Sequence, residues 1–525
     1  MCCMSKRMYP LTALTIIALA AAPAALADDE REELGPGCAP DRPAVAHHAG
    51  GVIVEPPRGA PRLIPCSTNT GWRTSETGIV VTNRGTVLLQ PAVQGDGGLP
   101  IGLLRSNNRG RTWHFVDPSV TPARTAAIDM NTWVDRQTGR IFWSNDLIPP
   151  VGTASTQQVD HSDDDGRTWS RSDNLPVFFD HTQIFSGPPP PRLRHLMRGY
   201  PNVVYVVVSG GFTCAAVGFC GTHITRSLDG GLTFEPTVAL PYPAECPAPG
   251  TNPPGGYGLN GVVDREGTIY VPFTPCERPY ISVSHDGGES WYLILVANLE
   301  TIGWGELGLG VDRHRNLYAA WTAFADRLPY LSISHDQGSH WSTPMMIAAP
   351  GVNEAAVPLL VTGEPGQVAV TYYGSRNAPM PFPTPCAGYS LGCPGYENET
   401  WDTYVTETFN ALDRDPLFFS AALNDPDNPT WYGVTPSSIR LSDTDFATGS
   451  SAGTQGGPSF AGRMDYYSAT ISRDGTPWVG FTQECPRGLP VPGNPNCPDS
   501  LQGDPTDGLF GLVGRLVRVE HHHHE

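Results

Sequence analysis

The 525-residue sequence predicts an all-β fold of repeated four-stranded antiparallel units. Three observations lead there. One eight-residue turn pattern recurs five times, at spacings of 56, 65, 57 and 50 residues. Between the copies lie strand–turn–strand segments rich in β-branched and aromatic residues. Gly (58) and Pro (53) supply about a fifth of the chain, the punctuation that many turns require.

The elements follow in chain order. Lys6 and Arg7 precede an apolar run from Leu11 to Ala25, and Ala25-Leu26-Ala27 offers an A-x-A cleavage site before Asp28-Asp29-Glu30. This reads as a secretory signal over residues 1–27, so a secreted protein, extracellular or periplasmic, is expected. No later run reaches 18 apolar residues, so no membrane insertion is expected. Residues 28–69 read as an N-terminal extension, 70–519 as the repeat domain, and 520–525 as a His-rich tail. Ten cysteines remain after the signal, an even number in an oxidising compartment. Neighbours in order would pair: 38–66, 214–220, 246–276, 386–393 and 485–497. No CxxC pair occurs, so no metal is expected, and no motif calls for a cofactor. The formal charge of −19 with no basic cluster argues against nucleic acid. Of 33 basic residues 32 are Arg, and the only lysine, Lys6, lies in the signal. Lysine Schiff-base and phosphate-loop chemistry is thereby excluded.

The recurring pattern is Ser-x-Asp-x-Gly-x-x-aromatic. It runs from Ser106 to Trp113 (with Asn108 for Asp), Ser162 to Trp169, Ser227 to Phe234, Ser284 to Trp291 and Ser334 to Trp341. The carboxylate can accept backbone N–H groups inside its own turn. The glycine takes a left-handed conformation that a side chain resists. The aromatic ring is placed to fill the layer between neighbouring sheets. Inner hairpins precede each copy, as in Gly78–Leu89 and Val262–Val271, and two more lie at 358–373 and 469–481. The sixth unit ends with Thr403–Glu407 and Leu417–Ser420. This pattern is the Asp-box, or BNR repeat, and the chain resembles the Asp-box β-propellers of the sialidase-like superfamily. The resemblance implies a ring of four-stranded blades. Seven are favoured here, with the six of sialidases as the alternative.

The same resemblance implies a glycoside hydrolase that cleaves terminal acidic sugars from glycans, an exo-α-sialidase. Such a site clamps the sugar carboxylate with three arginines, whose planar forks match a carboxylate. It attacks with a tyrosine activated by a glutamate, which avoids setting a carboxylate nucleophile against an anionic sugar. An aspartic acid protonates the leaving group. By position, Arg73, Arg376 and Arg440 form the clamp, with Arg463 a competitor for the third place. Asp96, in the Gln94–Gly98 turn, is the acid, and Glu354 the activator. Tyr466 keeps the spacing to Asp474, while Tyr467 has the following Ser468; Tyr466 is taken as the nucleophile. The partner is then a glycan or glycoconjugate, bound by a monomer. The alternative is a non-catalytic secreted propeller that binds glycans or a cell-surface protein.

Overall fold

All seven segments read as inner hairpins build the inner half of a four-stranded antiparallel sheet. The computed structural model describes residues 34–74, 77–90, 102–117, 126–148, 156–172, 175, 180–209, 221–246, 260–301, 307–378, 399–432, 467–484 and 509–519. The innermost strands are Gly78–Val81, Ala126–Val134, Asp180–Gly187, Val262–Val263, Gly308–Val311, Glu354–Thr362 and Ser468–Ile471. Each packs beside the next and the seventh beside the first, so the sheets close into a seven-bladed propeller. Among the described residues no helix is long and apolar enough to cross a membrane.

The blades are buried on both faces, which explains apolar runs without alternation. In Val203–Ser209, Val203, Tyr205 and Val207 pack toward blade 4, while Val204, Val206 and Val208 pack toward blade 2. Between blades 6 and 7 the layer holds Tyr373, Trp401, Val405, Tyr467, Phe481 and Leu512. Burying rings of this size contributes about 2–3 kcal/mol each relative to exposure.

The ring closes with strands from both ends of the chain. Arg62–Arg73 pairs antiparallel with Leu509–Val519 as the outermost strand of blade 7. That strand begins inside the stretch assigned from sequence to the extension. A ring needs its last edge covered, and this strand covers it. Blade 6 is extended too: Val45–His48 pairs with its outer strand Phe418–Ala422, and Val52–Ile53 follows. Disulfides join Cys38 to Cys66 and Cys246 to Cys276, both as expected. The other three expected pairs lie outside the described residues.

The five repeated turns form one hydrogen-bonded clasp, each between the third and fourth strands of a blade. In blade 3, Ser227 Oγ donates to Asp229 Oδ1 and accepts from Gly231 N, at 2.7 and 2.8 Å. Asp229 Oδ1 accepts from Leu232 N and Thr233 N, and its Oδ2 from Thr233 Oγ1. The aromatic residues Trp113, Trp169, Phe234, Trp291 and Trp341 each half-fill the layer toward the preceding blade. Two successive residues are left-handed in every clasp. The glycine has φ of 78–98°, and the residue before it (Arg109, Asp165, Gly230, Gly287 or Gln337) has φ of 59–78°. In three clasps the carbonyl of that preceding residue accepts an arginine from the blade before. Arg105 Nε reaches Asp165 O, Arg140 Nη1 reaches Gly230 O and Arg226 Nη1 reaches Gly287 O, at 3.0, 2.9 and 2.6 Å.

The clasps and one buried acid carry pH dependence of opposite sign. Burial alone would raise the Asp164 and Asp286 carboxyls, but their turn donors outweigh it and hold both down to about 2. A depressed carboxyl stabilises the fold above its ordinary value near 3.8 and loses that contribution as pH falls toward 2. Glu407 sits between blades 6 and 7, where burial raises its carboxyl to about 8 against the opposing Gln367 hydrogen bond and Arg518 charge. Gln367 Nε2 bridges Glu407 Oε1 and Gly475 O at 2.9 and 2.8 Å. A raised carboxyl is fully tolerated below its ordinary value near 4.5 and costs stability as pH climbs from there to about 8. Two outcomes are expected in thermal melts. Asp229→Ala lowers stability by about 1–2 kcal/mol, the effect of losing a half-buried turn acceptor that serves several donors. Glu407→Gln melts higher than the wild type at pH 8, and the gap closes toward pH 4.5.

Candidate functional site

The meander separates the two ends of the ring. First-to-second turns and clasps share one face. Inner strands begin on the other, where second-to-third and blade-to-blade connections also lie. Of the sequence-derived site residues, Glu354 and Arg376 lie at this second face. Glu354 opens the inner strand of blade 6 and pairs with Ser375, the last residue of the next strand; Arg376 follows at once. The fold therefore brings Glu354 and Arg376 to one rim. Arg73 lies on the closing strand, with its backbone opposite Phe510. Its side chain, and Asp96, Arg440 and Tyr466 entirely, lie outside the described residues.

Glu354 is fully buried, and its Oε1 accepts from Arg327 Nη1 at 3.1 Å. Arg327 stands in the tight second-to-third turn of blade 5 at φ 55°, and its carbonyl accepts Ala355 N at 2.7 Å. No sequence motif flagged Arg327; a single arginine in a short turn carries no signal. Arg376 is exposed. Its Nε donates to Tyr404 Oη at 2.8 Å, and its guanidinium lies 5.7 Å from the centre of that ring. Among the described residues no carboxylate pairs with it. Burial, then the charge of Asp402, raises the Tyr404 hydroxyl pKa, so Tyr404 remains a neutral support for the cation. Asp402 behind it is also raised by burial, against hydrogen bonds from Asn424 and Tyr404 and the charge of Arg376.

Tyr467 is anchored by its contacts. Its ring lies 4.7 Å from that of Tyr373, and its hydroxyl donates to Val357 O at 2.7 Å. Val357 is a β-branched residue at φ 52°, held there by a bulge between Ala356 and Leu359. The same one-residue bulge recurs in two more inner strands, at Ile128/Asn131 and Asp180/Gln183. Asn131 Nδ2 donates to Gln183 Oε1 at 2.9 Å, linking those two strands across the axis wall. A central cavity of about 50 Å³ is lined by Asn131, Gln183, Asn260, Leu309, Leu360, Tyr467 and Ser468. Six of the seven blades contribute, so bulging inner strands shape the axis itself. No group of His, Cys, Asp and Glu fit to hold a metal occurs among the described residues.

No family model and no curated protein matches the sequence. Solved structures do. A Hadza microbial sialidase is 14% identical with a TM-score of 0.37, over 67% of this chain and 66% of that one. This chain thus spans about two thirds of that sialidase. A Dyadobacter fermentans protein of unknown function is 12% identical with a TM-score of 0.40, over 93% and 100% of the two chains. An α-L-arabinofuranosidase from Fusarium graminearum is 11% identical with a TM-score of 0.35, over 58% and 90%. These likenesses concern the fold alone.

The two adjacent tyrosines can be separated by substitution. Tyr467→Phe is expected to lower stability by about 1 kcal/mol through the lost hydrogen bond to Val357 O. It should leave the affinity for any acidic-sugar ligand unchanged, as melting and calorimetry together would record.

Proposed function

We propose that the chain is an exported propeller glycoside hydrolase acting on terminal acidic sugars, with its site on the face opposite the clasps. The observation that carries this reading is the Arg376 guanidinium. It is exposed, its Nε is held by Tyr404, and it stands one residue beyond the partner of Glu354. A planar cation held this way suits a sugar carboxylate. Arg73 and Arg440 complete the clamp in this reading. Tyr466, next in sequence to the anchored Tyr467, is the nucleophile; Glu354 activates it, and Asp96 protonates the leaving group. The Asp-box reading of the clasps and the signal over residues 1–27 fit the same picture. The two disulfides suit an exported protein.

A second reading has its own observation. Glu354 is wholly buried and ion-paired with Arg327, which favours a structural carboxylate and a propeller that binds an acidic glycan without cleaving it. Fluorogenic α-sialosides separate the two. On the first reading, Tyr466→Phe abolishes turnover while ligand binding and melting stay unchanged. Arg376→Lys raises KM by ~10-fold or more, because an ammonium cannot reproduce the bidentate pair. A wild type that binds sialosides but turns none over establishes the second reading. A wild type that neither binds nor cleaves any acidic sugar overturns both.

A further inference from the structure

The first-to-second turns of the clasp face are uniform except at one place. First-to-second turns in six blades take five or six residues, such as 82–86 and 135–140. In blade 3 the same connection takes fifteen, residues 188–202, reading Pro-Pro-Pro-Pro-Arg-Leu-Arg-His-Leu-Met-Arg-Gly-Tyr-Pro-Asn. The insertion is a rigid knob. Pro190 lies against the Gly267 turn of blade 4, and Leu193 is fully buried against Gly287 of that blade's clasp. On the other side Tyr200 Oη donates to Asp135 Oδ2 of blade 2 at 2.6 Å, and Asn202 Nδ2 to the same carboxylate. Arg198 N donates to Leu228 O of its own blade at 2.8 Å. Three blades hold it, and four consecutive prolines limit its freedom further.

Anchoring accounts for Pro190, Leu193, Tyr200 and Asn202, and for Arg192, whose guanidinium pairs with Asp286 and Glu289. It leaves the tip unexplained. Arg194, His195, Leu196 and Arg198 are all exposed, Leu196 at 42%. The side chains of Arg194, His195 and Arg198 make no hydrogen bond or ion pair among the described residues. No acidic residue occurs anywhere in 188–202, within a chain of net charge −19. Holding uncompensated cations on a braced and exposed segment calls for an anionic partner.

We propose that this knob is a docking site for a polyanionic polysaccharide, a sugar chain bearing carboxylate or sulfate groups. Arg194 and Arg198 offer planar forks to successive anionic groups, and Leu196 between them meets the apolar face of a sugar ring. A broad anionic bilayer fits less well. Carboxylates flank the base of the knob: Asp286 and Glu289 pair with Arg192, and Asp163 pairs with Arg140, which lies over the Tyr200 ring; a flat surface would press its charges against these. A narrow chain reaches the tip alone. This site lies on the opposite face from Arg376 and does not depend on turnover there.

The test uses the full chain and four immobilised or suspended probes: dextran sulfate, neutral dextran, phosphatidylglycerol vesicles and poly-L-glutamate. The wild type should be retained on dextran sulfate at low salt, pass through neutral dextran, and bind vesicles and polyglutamate more weakly. Arg194→Ser/Arg198→Ser should weaken retention by ~10-fold or more with an unchanged melting temperature. The charge-matched control Arg84→Ser/Arg111→Ser, also on the clasp face, should behave as wild type. Equal loss in both double variants, no retention of the wild type, or stronger binding to vesicles or polyglutamate would each overturn the proposal.

Discussion

Three successive joints of the ring, from blade 1 to blade 4, rest on one kind of bond: an arginine donating to the carbonyl of a left-handed residue in the next blade's clasp. Two successive left-handed residues turn that carbonyl out of the hairpin, where a neighbour can reach it. The clasp thus fixes its own hairpin and its distance from the blade before in one step. Each tying arginine also engages a carboxylate. Arg140 holds Asp163 as well as Gly230 O, Arg226 holds Glu235 as well as Gly287 O, and Arg105 holds both the carbonyl and the carboxylate of Asp165. A guanidinium spreads its donors over a plane wide enough for both acceptors, whereas an ammonium gathers them at one point. The near absence of lysine has a physical counterpart here.

Why five clasps serve seven blades becomes clear from the connectivity. In blade 7 the third and fourth strands come from opposite ends of the chain, so no turn joins them and none can be clasped. In blade 6 the turn exists in relaxed form. Thr408 Oγ1 donates to Asn410 Oδ1, and Asn410 N donates back to Thr408 Oγ1. Asn410 Oδ1 then accepts Leu417 N across a longer loop. Threonine and asparagine replace serine and aspartate, and the wider spacing hides the kinship from a pattern search.

The fold was legible because it repeats: each clasp needs the same few side chains, and the blades declare themselves by period. The rim of blade 6 does not repeat. The sequence suggested Glu354 and Arg376 from a family likeness, and antiparallel pairing places them side by side. It offered no sign of Arg327 or Tyr404, whose roles arise only where separate turns and strands meet. Nor did it show that the neighbouring Tyr467 hydroxyl is anchored on the Val357 carbonyl, which lies in a bulge more than a hundred residues earlier in the chain. Local chemistry writes periodic features into sequence, while contacts between blades are written only in three dimensions.

The closing strand also sets the order in which the molecule can come into being. Residues 62–73 precede the innermost strands of all seven blades, yet their partners, residues 509–519, form the last strand among the described residues, about 450 residues later. Until then the edge of blade 7 keeps unpaired N–H and C=O groups open to any other strand. Pairing at such separation is entropically late and slow. The bond between Cys38 and Cys66 spans only 28 residues and holds part of that first strand. It needs nothing from the C-terminus, so oxidation can shape one half of the seam before the other half exists.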